Sequence, residues 1–159
     1  MRRCFARLYP ILGGGLWLLA GCAQPDIPVV DRTRAFPADY ETTWNAVIAT
    51  VAEHSYPIQA IEKDSGIVAT EQMLLERTGS DMKEYAVLPS IPFAIWRDLM
   101  CRLNFFVREE TPSRTMVQLN TAMQAYESNM TERSHTVFSN GTIEAQILTD
   151  LSTRLQERN

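Results

Sequence analysis

The sequence predicts an α+β domain, a two-layer sandwich with two helices on one face of an antiparallel sheet. Three observations carry this. Residues 40–51 and 143–155 place apolar side chains at helical spacing. Residues 101–108 and 117–124 alternate apolar with polar side chains, the pattern of strands with one buried face. The elements run strand or linker, helix, hairpin, an unassigned stretch, two long strands, helix, without the strand–helix alternation that builds a parallel sheet.

The domain begins near Arg34. Phe36-Pro37-Ala38-Asp39 leads into the first helix, with Asp39 as N-cap and Tyr40, Trp44, Val47, Ile48 and Val51 on one face. Tyr56-Pro57 ends it, because the residue before proline is pushed out of the helical region. Ile58–Glu62 and Ile67–Glu71 form a hairpin around Lys63-Asp64-Ser65-Gly66, where Gly66 can take a positive φ. Residues 73–100 fit neither period; Thr78-Gly79-Ser80-Asp81 reads as a loop tip and Tyr85–Leu88 as a short strand. Cys101, Leu103, Phe105 and Val107 then alternate with Arg102, Asn104 and Arg108, and Phe106 interrupts the polar side. After Thr111-Pro112-Ser113, Val117, Leu119, Thr121 and Met123 alternate with Gln118, Asn120 and Gln124. Ser128–Ser134 reads as the end of this strand and a connection. Ser139-Asn140-Gly141 opens the last helix, with Ser139 as its cap and Ile143, Ile147, Leu148, Leu151 and Leu155 as its apolar stripe.

The N-terminus carries a different signal. Arg2, Arg3 and Arg7 precede an uncharged apolar run from Leu8 to Ala20, the pattern of a secretory signal. That run is shorter than the ~20 residues needed to span a bilayer. It ends Leu19-Ala20-Gly21-Cys22, which resembles the bacterial lipobox, whose cysteine is lipidated and becomes the first residue after cleavage. The expected organisation is a lipoprotein signal at 1–21, a lipidated extended linker at 22–33 containing Pro25 and Pro28, and a single periplasmic domain at 34–159. Cys22 is then a membrane tether, since burial of each methylene contributes ~0.8 kcal/mol and two or three chains hold a protein on a bilayer. Ala23 follows it where an Asp would retain an enterobacterial lipoprotein in the inner membrane, so the expected location is the outer membrane, on its periplasmic face. Removing 21 of 159 residues leaves 138, enough for one core. Losing Arg2, Arg3 and Arg7 takes the net charge from −4 to −7, which does not suit nucleic acid. Of three cysteines, Cys4 leaves with the signal and Cys22 is a thioether, so Cys101 has no intrachain partner and is expected to be buried.

Catalytic patterns are scarce, and no enzyme activity and no cofactor are expected. The two histidines, His54 and His135, read as solvated or local capping residues rather than metal ligands. Ser134 adjoins His135, but there is no G-x-S-x-G elbow. Glu109-Glu110, and Glu62 with Asp64, read as hairpin and turn charges rather than an acid–base pair. No glycine-rich phosphate loop is present, and Asn129-Met130-Thr131 and Asn140-Gly141-Thr142 are chance glycosylation sequons.

"PSIPFAIWRDL", Pro89 to Leu99, is the unusual stretch. Two prolines argue against a central strand, yet Ile91, Phe93, Ile95 and Trp96 lie within six positions. It is either a lid folded back on the core, the preferred reading, or an exposed partner-binding patch. In the second case Phe93 and Trp96 are the anchors, with Ile91 and Ile95 beside them and Arg97 and Asp98 as a polar rim.

The run "FPADYETTWNAVIATVAEHSYPIQAIEKDSGIVATE", with "SNGTIEAQILTDL" near the C-terminus, resembles small proteobacterial lipoproteins related to BamC, the C subunit of the outer-membrane β-barrel assembly machinery. The resemblance covers roughly residues 34–72 and 138–156 and implies a helix-grip or TBP-like fold, a helix packed across a curved antiparallel sheet. Its motifs are structural, Trp44 for the core and Gly66 for the turn, so it speaks to fold more than activity. Two functions are open. The first is a non-enzymatic, membrane-anchored interaction or scaffold module with a protein partner in the cell envelope, linked through the resemblance to outer-membrane protein assembly. The alternative is a carrier or sensor of an apolar small molecule or lipid held between helix and sheet, with Met73, Met116, Met123 and Met130 in its wall.

Overall fold

The computed structural model describes residues 29–128 and 133–157. Cys22, the expected lipidation site, and Met130 lie outside them. Strand β1 (Thr33–Phe36) leads into helix α1 (Tyr40–Glu53), followed by β2 (Ile58–Glu62), β3 (Ile67–Thr70) and β4 (Met73–Thr78). A short 3-10 turn, Asp81–Glu84, and β5 (Ala86–Val87) precede the long strands β6 (Trp96–Thr111) and β7 (Arg114–Glu127). Then come β8 (Arg133–Ser139) and helix α2 (Thr142–Glu157). The strands join in one antiparallel sheet of order β2-β3-β6-β7-β8-β5, in which β4 also pairs with β6 and β1 with β7. The fold is α+β, as expected.

The β6–β7 hairpin is the spine. Its register runs from Trp96 opposite Glu127 to Thr111 opposite Arg114. Near the hairpin tip β3 flanks β6 and β1 flanks β7; at the open end β4 and β8 take those places. Alternation puts Leu99, Cys101, Leu103, Phe105 and Val107 of β6, and Val117, Leu119, Met123 and Ala125 of β7, on the face that both helices cover. That face meets Trp44, Val47 and Val51 of α1 and the whole predicted stripe of α2, Ile143, Ile147, Leu148, Leu151 and Leu155. The two helices are also tied to each other, by His54 Nε2 at 3.0 Å from Asp150 Oδ2 and by an Arg154–Glu53 ion pair.

Local chemistry explains the ends of α1. Asp39 Oδ1 accepts from the Thr42 amide at 2.7 Å, the predicted cap, and the backbone hydrogen bond and Thr42 hydroxyl hold the Asp39 carboxyl below its usual pKa. At the other end His54 is the C-cap and Ser55 takes φ 54°, so the chain leaves the helix just before Tyr56-Pro57. Gly66 has φ 69°, and a Cβ there would sit 2.0 Å from the Val107 carbonyl oxygen. Its own carbonyl accepts from the Val107 amide at 2.7 Å, so the turn of the small hairpin is pressed against β6.

Four elements depart from expectation. Strand β6 begins at Trp96, five residues before Cys101, because Asp98 (φ 51°) is a bulge that resets the alternation: Arg97 pairs with Tyr126 and Leu99 with the next residue, Ala125. Strand β4 carries a similar irregularity between Leu74 and Glu76, which erases its period-2 signal. Strand β8 takes up residues expected as a connection, since His135, Val137 and Ser139 face inward and only one of them is apolar. Ser139 is therefore the end of β8 and not the cap of α2. The Thr142 amide bonds Asn140 Oδ1 at 3.0 Å, while the Ser139 hydroxyl donates to Glu144 at 2.6 Å and accepts from the Gly141 amide at 3.0 Å.

Candidate functional site

The segment from Pro89 to Ile95 is held by turns, with the Ile91 amide on the Pro89 carbonyl at 3.0 Å and the Ala94 amide on the Ile91 carbonyl at 3.2 Å. The Ile95 carbonyl accepts from the Ser128 amide at 2.8 Å, which pins its far end to the end of β7. Between these anchors Phe93 takes φ 61°, a region that a bulky side chain rarely enters. Phe93 is 97% exposed and Ile95 61% exposed. The preferred lid reading fails for these two side chains. It holds in part for Trp96, which is half-buried and packs against the core, and Ile91 is also half-buried. The covering role at this end falls instead to the 3-10 turn and β5, whose Met82 and Ala86 are buried in the core.

Beneath the segment lies a cluster that sequence reasoning missed. The Trp96 ring meets His135 edge to face, with centroids 5.2 Å apart and planes at 80°. His135 Nε2 lies 3.0 Å from Oε2 of the buried Glu127. Register explains the meeting: Trp96 is opposite Glu127, and His135 is opposite Ala125 one inward position along. His135 is therefore neither solvated nor a local cap. The Trp96–His135 contact and the His135–Glu127 bond together make the cluster a clamp on the start of β6. Arg97 and Asp98, expected as a polar rim, instead belong to a groove of about 510 Å³ on the opposite face of the sheet, shared with Leu74, Met100 and Tyr126.

A second polar group is wholly interior. Glu144, fully buried in the first turn of α2, accepts from Thr121 Oγ1 and Ser139 Oγ, each at 2.6 Å, with Arg32 Nε 3.8 Å away. The sequence reading missed this residue; the signal available for it was a charge inside an apolar helical stripe, four positions before Leu148. Both carboxylate oxygens are bonded, so the group staples α2 to β7 and β8. Cys101 is free and buried, as expected, and burial, with Glu144 adding to it, pushes its thiol up to about 12. Such a thiol is not a nucleophile near neutral pH. Among the described residues no three His, Cys, Asp or Glu side chains are placed to hold a metal ion. Glu110 pairs with Arg114 and Glu62 accepts from Ser65, the hairpin and turn roles expected of them.

The methionines do not share a wall. Met123 is packed in the core, Met73 is half-buried against it, and Met116, between the inward Thr115 and Val117, faces the other side of the sheet. No helix among the described residues is long and apolar enough to cross a membrane. Compared with models of known protein families and with curated protein sequences, the chain matches none.

Proposed function

We propose that this protein is a non-enzymatic, lipid-anchored module of the outer membrane's periplasmic face that binds an envelope protein through Phe93 and Ile95. The observation that carries the reading is Phe93: a benzyl group almost wholly in water, on a backbone conformation that costs of order 1–3 kcal/mol for such a residue. Apolar burial cannot offset that cost within this chain; burial against a partner can. The tether supports the reading, because Cys22 at the lipobox confines the domain to a surface where partners are held nearby. The resemblance to the BamC-related lipoproteins would place that partner in outer-membrane protein assembly.

The test is co-purification from the protein's own envelope with a paired substitution, Phe93→Asn with Ile95→Ser. Asparagine accepts positive φ, so the fold is kept while the apolar surface is removed. The expected result is an unchanged melting temperature and loss of the co-purifying polypeptide. Retention of the same polypeptide by the variant overturns the site. Anchoring is checked separately: labelled fatty acid enters the wild type and not Cys22→Ser, and equal labelling of the two overturns the lipobox reading.

A further inference from the structure

The side of the sheet away from the helices has its own composition. Outward positions along β6 are Arg97, Met100, Arg102, Asn104, Phe106 and Arg108; those along β7 are Met116, Gln118, Asn120, Ala122, Gln124 and Tyr126. On β8 they are Ser134, Thr136 and Phe138. Among the described residues none of these outward positions carries a carboxylate; carboxylates stand at the margins, with Asp98 and Glu127 lining the groove that holds Arg97, Asp64 and Glu109 lining the one that holds Arg108, and Glu110 at the hairpin tip bonded to Arg114 at 2.8 Å. Arg97, Arg102 and Arg108 are exposed and make no ion pair with any described residue. A chain of net charge −4 thus carries on one sheet face a row of guanidinium groups that have no ion pair among the described residues, Arg97 donating to the Ser128 hydroxyl at 3.4 Å. Phe106, Tyr126 and Phe138 are partly exposed beside them.

Position matters as much as charge. The groove of about 470 Å³ that holds Arg102 and Phe138 is also lined by Arg32, so the N-terminal segment enters the domain at the edge of this face. From Cys22 to Arg32 the chain spans at most about 35 Å when fully extended. We propose that this face is a seat for an anionic phospholipid surface, the guanidinium groups meeting phosphates while the aromatic rings lie at headgroup level. The proposal rests on the lipid-anchor reading only for its nearness to a bilayer. An acidic protein would satisfy the same charges, but nothing ties one to the edge of this face as the tether ties the membrane.

The full-length chain is reconstituted in vesicles of phosphatidylcholine alone, or with one third phosphatidylglycerol, and its arginines are modified with phenylglyoxal and located by mass spectrometry. Arg154, on α2 in the other layer, is the internal reference. On anionic vesicles Arg97, Arg102 and Arg108 are expected to be modified several-fold less than on neutral ones, and high salt should remove the difference. Equal modification on both vesicles overturns the proposal. So does protection found only in whole envelopes, which would assign the face to an acidic protein. The intact mass reports lipidation independently: a lipidated chain without protection sinks the seat alone, whereas an unlipidated chain that is still protected by added anionic vesicles upholds the seat and sinks the anchor.

Discussion

Phe105 and Phe106 are neighbours in one strand and belong to different environments. Phe105 has no exposed surface and is enclosed by the core, whereas Phe106 is 39% exposed and flanked by Arg102, Asn104 and Arg108 on its side of β6. Because side chains alternate, one chain segment writes two independent surfaces, one selected for packing and the other free for contact. Phe106 is the residue at which the polar pattern of the outer surface is broken, and the break marks where that surface differs from an ordinary solvated sheet.

The contrast is broken most severely on the covered side. Trp44→Ala and Phe105→Ala each remove a large buried side chain, and each is expected to cost about 3–5 kcal/mol, a large part of a domain's total stability. Denaturant or thermal unfolding checks this. Either variant melting within a degree or two of wild type would mean that the helix-covered face is not the core. Gly66→Ala should also be severe, since its Cβ would overlap the Val107 carbonyl and φ 69° disfavours alanine. The unfolding midpoint should drop far more than for a glycine replaced in an open turn.

A smaller effect separates the faces by pH. Cys101 is on the covered side with its thiol raised to about 12 from 9.0 by burial, and Glu144 adds to the shift. The unfolded chain releases this proton first, so the stability held by the neutral thiol is complete below pH 9 and is lost as pH rises toward 12. Relative to Cys101→Ala, wild type should therefore lose stability more steeply above pH 9, and a thiol reagent at pH 8 should label it only after unfolding. Parallel pH profiles for the two proteins would place the thiol in water.

The same alternation decides what could be read from sequence. The core of the sheet and both helices were legible, down to Asp39, Gly66 and the full α2 stripe, because each followed one unbroken period. What was missed lies where the period is interrupted. The Asp98 bulge hid the start of β6, the irregularity after Leu74 hid β4, and polar inward residues hid β8. The candidate site was half legible: its composition singled out Phe93 and Ile95, but no local pattern told exposed from folded back. That was decided by the positive φ at Phe93 and the Ser128–Ile95 bond, neither of which has a sequence signature. The Trp96–His135–Glu127 cluster joins three strands and was beyond any single-segment reading.

The smallest expected effect is on the open side. Phe106→Thr introduces a β-branched side chain with good strand propensity and removes a ring whose cross-strand neighbours are Ile67 and Gln118. Cross-strand pairs of this kind contribute about 0.2–1 kcal/mol, so the variant should unfold within about 1 kcal/mol of wild type, several-fold less than Phe105→Ala. A loss comparable to that of Phe105 would show that the outer face is packed against something in the isolated protein, a second copy being the simplest candidate. The concentration dependence of the melting temperature then decides between them: a monomer with an open face melts at one temperature at every concentration, whereas a face buried between copies melts higher as the protein is concentrated.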